Sequence, residues 1–314
     1  MTTTHELKWP HHPTDSTPVS LVELGKMKCV YLADRRAYRD PTIGWGTAVD
    51  ARPMTEFIAS ESRRANLLLS PAHVLVCAVA RAISENPKFN RKVIGRRVYP
   101  YNEVNIVTPV LTAHNGQVEP MFLRAVERMS LCDVAQQMWT AARTLALAAA
   151  EEARRDQNRS PWNRFWVESA RALRLWGILS TVGLVFALDN QVRRRSRAIN
   201  ARFNGVSALV NILSFPGGAP PMLGFKPSAL PINAASLSVT MGAPEWRPAV
   251  VDGQVVAQRM VPLFVRADHR LVHSHEIAAF LNTLCAYLTQ PQRLVEPEPL
   301  THVVRANEYK AAAA

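Results

Sequence analysis

The sequence is poor in the features that mark several large classes of protein. Only four cysteines occur in 314 residues: Cys29, Cys77, Cys132 and Cys285. They lie far apart and show no C-x-x-C spacing, which excludes a disulfide framework and a zinc knuckle. Glycine is scarce at 13 residues, and the 22 prolines cluster without a period, so a collagen-like repeat is excluded. The longest apolar run, Trp176 to Leu188, falls short of the ~20 residues that a membrane-spanning helix needs. There is no P-loop, no G-x-G-x-x-G and no G-x-S-x-G, which removes the common nucleotide-binding and serine-hydrolase signatures. No signal-peptide pattern is visible, so the expected compartment is the reducing cytoplasm.

Acidic residues are the minority charge, 25 against 37 Lys plus Arg, giving a net charge of +12. Hydrophobic residues make up 48% and charged residues 20%, the balance of a globular chain. The positive excess suits a polyanionic partner, whether nucleic acid, an anionic membrane surface or a phosphorylated cofactor, or else a merely solvated basic surface. The run Arg193 to Arg197 has no interleaved aromatic residues and no recognisable binding fold around it, so nucleic acid is not the expected partner. The apolar run at 176–188 is flanked by Arg171 and Arg174 on one side and Arg193 to Arg197 on the other. Residues 171–197 therefore suit either contact with a membrane surface or a helix buried against the protein or another subunit.

Along the chain, residues 1–42 read as an irregular arm punctuated by Pro10, Pro13, Pro18 and Pro41. Ile43 to Val49 reads as a strand, and Pro53 opens a helix to about Arg64. Ser70-Pro71 marks a second helix start, with Val74, Leu75, Ala78, Val79, Ala82 and Ile83 at helical spacing up to Asn86-Pro87. Val93 to Val98 and Glu103 to Leu111 read as strands, and Ser130-x-x-Asp133 caps a long helix to about Arg154. An Arg- and Trp-rich helical stretch follows, then a Pro- and Gly-rich loop over 205–232. From Ala234 the chain is β, with Asp252-Gly253 between two Val pairs as a hairpin turn. A last helix spans Ser274 to Leu288 with Ile277, Phe280, Leu281, Leu284, Cys285 and Leu288 on one face, and Pro291 stops it. The fold class expected from this mixture is α/β in the α+β two-layer sense: helices on one face of a mixed sheet.

The segment richest in chemistry is Asp268-His269-Arg270-Leu271-Val272-His273-Ser274, where an apolar strand hands over to an amphipathic helix. Two rigid elements flank it, and a histidine there can serve as a general base near neutral pH. The plain alternative is a packed junction residue with one backbone hydrogen bond. His269, His273 and His275 also have a spacing at which two rings can meet a metal, but they lack further acidic or thiolate ligands beside them except Asp268 and Glu276, so no metal is expected.

The wider pattern resembles a known family. The stretch V-V-D-G-Q-V-V, the strand, D-H-R, an apolar pair, and a helix ending in Thr289-Gln290-Pro291-Gln292-Arg293-Leu294 are similar to the catalytic domain of the dihydrolipoyl acyltransferases of 2-oxoacid dehydrogenase complexes. The helix from Ser70 followed by Pro87, Phe89 and Asn90 resembles that family's P-x-x-N helix end. Asn105-Ile106-Val107 to Pro120 resembles its strand pair, and Met129-Ser130-Leu131 to Ala142 its next helix. The likeness covers 43–295, with about 155–205 as a helical insertion and 296–314 as a tail. It rests on order and spacing more than on one motif.

What the resemblance implies is a chloramphenicol acetyltransferase-like fold, a homo-oligomer that is usually a trimer, and active sites between subunits. It implies a histidine base that takes a proton from a thiol or hydroxyl acceptor, a coenzyme A thioester as acyl donor, and a Ser or Thr hydroxyl from the neighbouring subunit facing the oxyanion. His269 matches the family's histidine. His273 stands where its H-x-x-x-D-G has Asp, and Ser274 where it has Gly; Ser274 then reads as a cap for the last helix. The hydroxyl position falls on Val210 or Asn211, and of these Asn211 can donate to an oxyanion. Ser207 and Ser214 are nearby substitutes, and Asp268 and Arg270 are supporting candidates. No lipoyl domain is recognisable, so the expected protein is a stand-alone acyltransferase with a small-molecule acceptor, no lipoyl group and no metal. The alternative is a catalytically degenerate member acting as a structural or regulatory oligomer.

Overall fold

A computed structural model describes residues 16–33, 42–94, 97–111, 118–158, 160, 162–177 except 164, 171 and 175, 205–213 and 236–295. Helices α1 (Leu21–Ala33), α2 (Arg52–Ala65), α3 (Pro71–Glu85), α4 (Leu131–Gln157) and α5 (Ser274–Thr289) accompany nine strands. These are β1 (Thr42–Asp50), β2 (Arg91–Ile94), β3 (Arg97–Pro100), β4 (Ile106–Leu111), β5 (Val118–Leu123), β6 (Ala208–Ile212), β7 (Leu237–Met241), β8 (Glu245–Val251) and β9 (Gln254–Asp268). Seven strands form one mixed sheet in the order β1-β9-β7-β6-β4-β5, with β8 also paired to β9. β6 runs parallel to both β4 and β7, and the other pairings are antiparallel. The expected layering is therefore present: the strands near 43–49, 103–111, 235–241 and 255–267 share a sheet, and the helices at 71–85, 131–157 and 274–289 lie together against it.

Alternation along β9 shows which face is covered. Val261, Leu263, Val265 and Ala267 are buried, while Pro262, Phe264 and Arg266 between them are half-buried. Leu237, Val239 and Met241 of β7 and Ala208 and Val210 of β6 continue the buried face. The core sits between this face and α3 and α5, where Val74 to Ala80, Ile83, Ile277, Phe280, Leu284, Tyr287 and Leu288 are all buried. α3 is apolar nearly all round, which suits a helix packed on several sides. Its start at Ser70-Pro71 is held by the His73 ring, whose Nδ1 accepts the Ser70 backbone N–H at 3.1 Å.

Three local readings differ from the structure. The arm at 1–42 contains a helix, α1, kinked at Gly25 (φ 75°). Val93 to Val98 is not one strand but parts of β2 and β3, which pair antiparallel with Val93 opposite Val98 and Ile94 opposite Arg97. The sequence reads as separate strands at Ala249 to Val256 and Arg259 to Ala267, but Gln254–Asp268 is one strand of 15 residues, β9, because its outer part pairs with β8 and its inner part with β1 and β7. The Asp252-Gly253 turn is as expected, with both residues at positive φ (51° and 78°), the geometry of a tight two-residue hairpin.

Candidate active site

β9 ends at Asp268, which pairs with Thr42 of β1 and donates its backbone N–H to the Ser236 carbonyl at 2.9 Å. The chain then turns sharply, with Leu271 N–H on the Asp268 carbonyl at 2.9 Å, and enters α5 through His273. The Asp268 carboxylate holds the turn from inside. It accepts the Arg270 backbone N–H at 2.9 Å and a two-pronged ion pair from the Arg270 guanidinium, the closest approach being 2.7 Å. Leu271 and Val272 are buried beneath, so this turn is rigid on both sides.

His269 sits at the crest of the turn, half-buried. Its Nδ1 lies 2.9 Å from the Val272 carbonyl oxygen. A carbonyl can only accept, so Nδ1 carries the proton and the lone pair of the neutral ring resides on Nε2. This fixes both the tautomer and the ring orientation that a general base requires. The carbonyl of His269 itself accepts a 2.6 Å hydrogen bond from the Lys28 ammonium of α1. Lys28 is buried, and burial is the main reason its pKa is lowered to about 8, against the pull of Glu276 and Asp268.

His273 is the residue that caps α5. Its backbone N–H donates to Glu276 Oε2 at 2.6 Å, and its carbonyl accepts the Glu276 N–H at 3.0 Å, a reciprocal arrangement. The cap is therefore His273 and not Ser274, which is the exposed first residue of the helix. The His273 ring stands perpendicular to that of His269, with centroids 6.2 Å apart, and is stacked on His275 at 5.7 Å. Burial lowers its pKa, and the positive charge of Lys28 and the two neighbouring histidines lower it further against the pull of Glu276, which favours the neutral ring. Burial pushes the Glu276 carboxyl up, but Lys88, 2.5 Å away, the His273 N–H and Lys28 outweigh this and hold it below the ordinary value. Among the described residues no group of three His, Cys, Asp or Glu side chains converges as a metal site would.

The other sequence candidates are distributed along β6 and beyond it. Ser207 is fully buried just before β6; its hydroxyl accepts the Asn105 N–H at 3.0 Å and lies 3.3 Å from the Glu103 carbonyl. That hydroxyl ties β6 to the start of β4. Val210 is buried in the core, so Asn211, next in the strand, presents its side chain on the sheet face away from the helices and is half-buried. Asn211 pairs with Thr240, which pairs with Phe264. Phe264 is five residues before His269, so Asn211 and His269 of one protomer are separated by roughly 16 Å along the strand direction alone. Ser214 lies outside the described residues, as do residues 178–204, where most of the expected insertion falls, and those from 296.

Sequence reasoning missed Lys28 and Lys88, and noted Glu276 only as an acidic neighbour of the histidines and not as the partner of the cap. Glu276 had a legible signal: an acidic residue three positions after the cap and before an apolar run. Lys28 had little, because Gly25 interrupts the helical pattern around it.

The fold described so far is similar to that of dihydrolipoamide acetyltransferase catalytic domains. Over 90% of its length the chain superposes on 97% of a probable dihydrolipoamide acetyltransferase from Listeria monocytogenes, with 14% identity and a TM-score of 0.54. It covers 93% of the dihydrolipoamide acetyltransferase of Azotobacter vinelandii with 88% of its own length, at 16% identity and a TM-score of 0.55. A truncated catalytic core of the 2-oxoacid dehydrogenase multienzyme complex from Thermoplasma acidophilum is matched over 96% of its length and 85% of this chain, at 12% identity and a TM-score of 0.50. Residues 223–296, which include β7 to α5 and the whole His269 turn, match the family model of the 2-oxoacid dehydrogenases acyltransferase (catalytic domain). The resemblance read from the sequence is thus present at the level of fold, and in the C-terminal part at the level of sequence. No curated protein matches the chain.

Proposed function

We propose that this protein transfers an acyl group from a coenzyme A thioester to a hydroxyl or thiol of a small molecule, with His269 as general base. The observation that carries this reading is the Nδ1–H bond from His269 to the Val272 carbonyl, which makes Nε2 the basic nitrogen on a rigid crest. Nε2 takes the proton of the acceptor as its oxygen or sulfur attacks the thioester carbonyl carbon. The tetrahedral oxyanion then collapses, the carbon–sulfur bond breaks, and the imidazolium returns the proton to the departing coenzyme A thiolate.

The oxyanion donor in this reading is the Asn211 amide of a neighbouring protomer in a homo-oligomer. The distance between Asn211 and His269 within one protomer supports a contribution from a second copy, as does the outward face on which Asn211 lies. A histidine followed four residues later by a polar side chain also recurs in the Azotobacter vinelandii protein, for which a serine, a histidine and an asparagine four residues beyond that histidine are named in the catalytic mechanism. His269 and His273 have that spacing here, and His273 in this reading positions the site as a neutral group.

The test is release of the free thiol from acetyl-coenzyme A and longer acyl-coenzyme A thioesters in the presence of thiol and alcohol acceptors. His269→Gln is expected to lower turnover by ~10²–10⁴ without a change in circular dichroism. Turnover equal to that of the unmodified protein would overturn the role of His269. An unmodified protein that neither binds nor turns over any acyl-coenzyme A would instead support a non-catalytic oligomer.

A further inference from the structure

Beyond Met138 no described residue of α4 is buried, so the helix runs out of the core before the chain turns into a second helical stretch. The described residues between 162 and 177 are helical. Trp162, Phe165, Trp166, Leu173 and Trp176 all fall on one stripe roughly 100° wide at the angular step of an α-helix. Each is more than half exposed, Trp166 at 57% and Phe165 at 59% being the least so and Leu173 at 79% the most. The rings of Trp162, Phe165 and Trp166 pack against one another, with centroids 5.9 to 6.2 Å apart, and so form a continuous aromatic surface. Asn163, Glu168 and Arg174 stand off the stripe. Between 159 and 177 the sequence holds four arginines against one glutamate. Three of the seven tryptophans in the chain lie here.

We propose that this stripe docks on an anionic lipid bilayer, with the helix lying in the plane of the interface. Tryptophan is the side chain most at home at the headgroup level, and an aromatic stripe backed by arginine is the composition of an in-plane membrane helix. Charge complementarity selects the anionic bilayer as occupant. The segment holds more arginine than acid, the whole chain carries +12, and Arg193, Arg194, Arg195 and Arg197 follow closely in the sequence. The sequence directly after Trp176 continues apolar to Leu188. No helix among the described residues is long and apolar enough to cross a membrane.

The experiment is co-sedimentation of the full chain with vesicles of phosphatidylcholine alone or mixed with phosphatidylglycerol, at low and high salt, with the mass in solution followed by light scattering. The expected result is binding to the mixed vesicles, weakened by salt and by omission of the anionic lipid. The double variant Trp166→Asp, Leu173→Asp is expected to bind at least ~10-fold more weakly with its mass unchanged. The pair Trp166→Phe, Leu173→Met keeps the stripe apolar and is expected to bind as before. Failure of the unmodified protein to sediment with anionic vesicles, or undiminished binding by the aspartate variant, overturns the proposal. A smaller assembly in the aspartate variant assigns the stripe to a second copy of the chain and also overturns it.

Discussion

The Lys28 ammonium, on the first helix, holds the backbone carbonyl of His269 at 2.6 Å, although the two residues are 241 positions apart. The bond fixes the peptide on which the imidazole is mounted, while the Val272 carbonyl fixes the ring itself. A buried lysine is a costly way to hold a carbonyl, since its charge loses solvent that only partial compensation from Asp268 and Glu276 returns.

Lys28→Met is expected to lower turnover more than it alters the fold, and to change the dependence of stability on pH. The folded pKa, about 8, lies below the unfolded value of 10.5, so the unfolded chain binds more protons between them. Stability therefore gains a contribution as pH rises through that window. Lys92, lowered to about 8 mainly by burial, adds a contribution of the same sign, and Cys77, raised to about 12 by burial, one of opposite sign above pH 9. The difference in urea midpoint between the variant and the unmodified protein, followed from pH 7.5 to 10, isolates Lys28. A difference that stays flat contradicts the prediction.

His73 supplies a second pH dependence at the acid side. Burial lowers its pKa to about 4, and its Nδ1 already accepts the Ser70 N–H. The folded state thus binds fewer protons than the unfolded one between about pH 4 and 6.5, and stability falls as pH drops through that range. His73→Asn is expected to flatten this part of the curve. Thermal melts at pH 5 and pH 7 for both proteins provide the comparison.

Gly44 faces the Phe264 ring across the β1–β9 pair, and a Cβ at Gly44 meets the ring carbon at 2.6 Å. Gly44→Ala is expected to destabilise by about 1–3 kcal/mol through overpacking. Phe264→Leu in the same chain is expected to recover part of that loss, so the two changes are non-additive. Additive urea midpoints across the four proteins count against the contact.

The β8–β9 hairpin carries Val250 and Val255 as a cross-strand pair at 72% and 74% exposure, on the same face as exposed Trp246. Such a surface is larger than a lone apolar side chain and calls for a partner. If a second protomer covers it, Val250→Lys with Val255→Glu is expected to shift light-scattering mass toward the monomer while circular dichroism is retained. Unchanged mass separates the hairpin from assembly.

Much of the sheet was legible because period and turn chemistry agreed. Asp252-Gly253 marked its hairpin, and the apolar spacing of 74–83 and 277–288 marked the two helices at the centre of the core. The His269 turn was legible as a strand-to-helix junction. What escaped were features set by tertiary contact. α1 has a glycine in its middle and forms against the fold, with Leu24, Lys28 and Leu32 buried. The length of β9 follows from partners on both sides, which no local pattern encodes. Nor does any local pattern say that the Ser207 hydroxyl is used to join β6 to β4.

β1 and β9 pair from Thr42–Asp268 to Asp50–Met260, so strands from opposite ends of the sequence are neighbours. During synthesis the first of them waits, unpaired, until β9 has left the ribosome. Closure of such distant contacts is slow and leaves an apolar edge open in the interval. His269 lies just past the final residue of that late pairing. The imidazole therefore acquires its fixed orientation only after β9 and the turn beyond it are made, and fragments released before that point carry no assembled base.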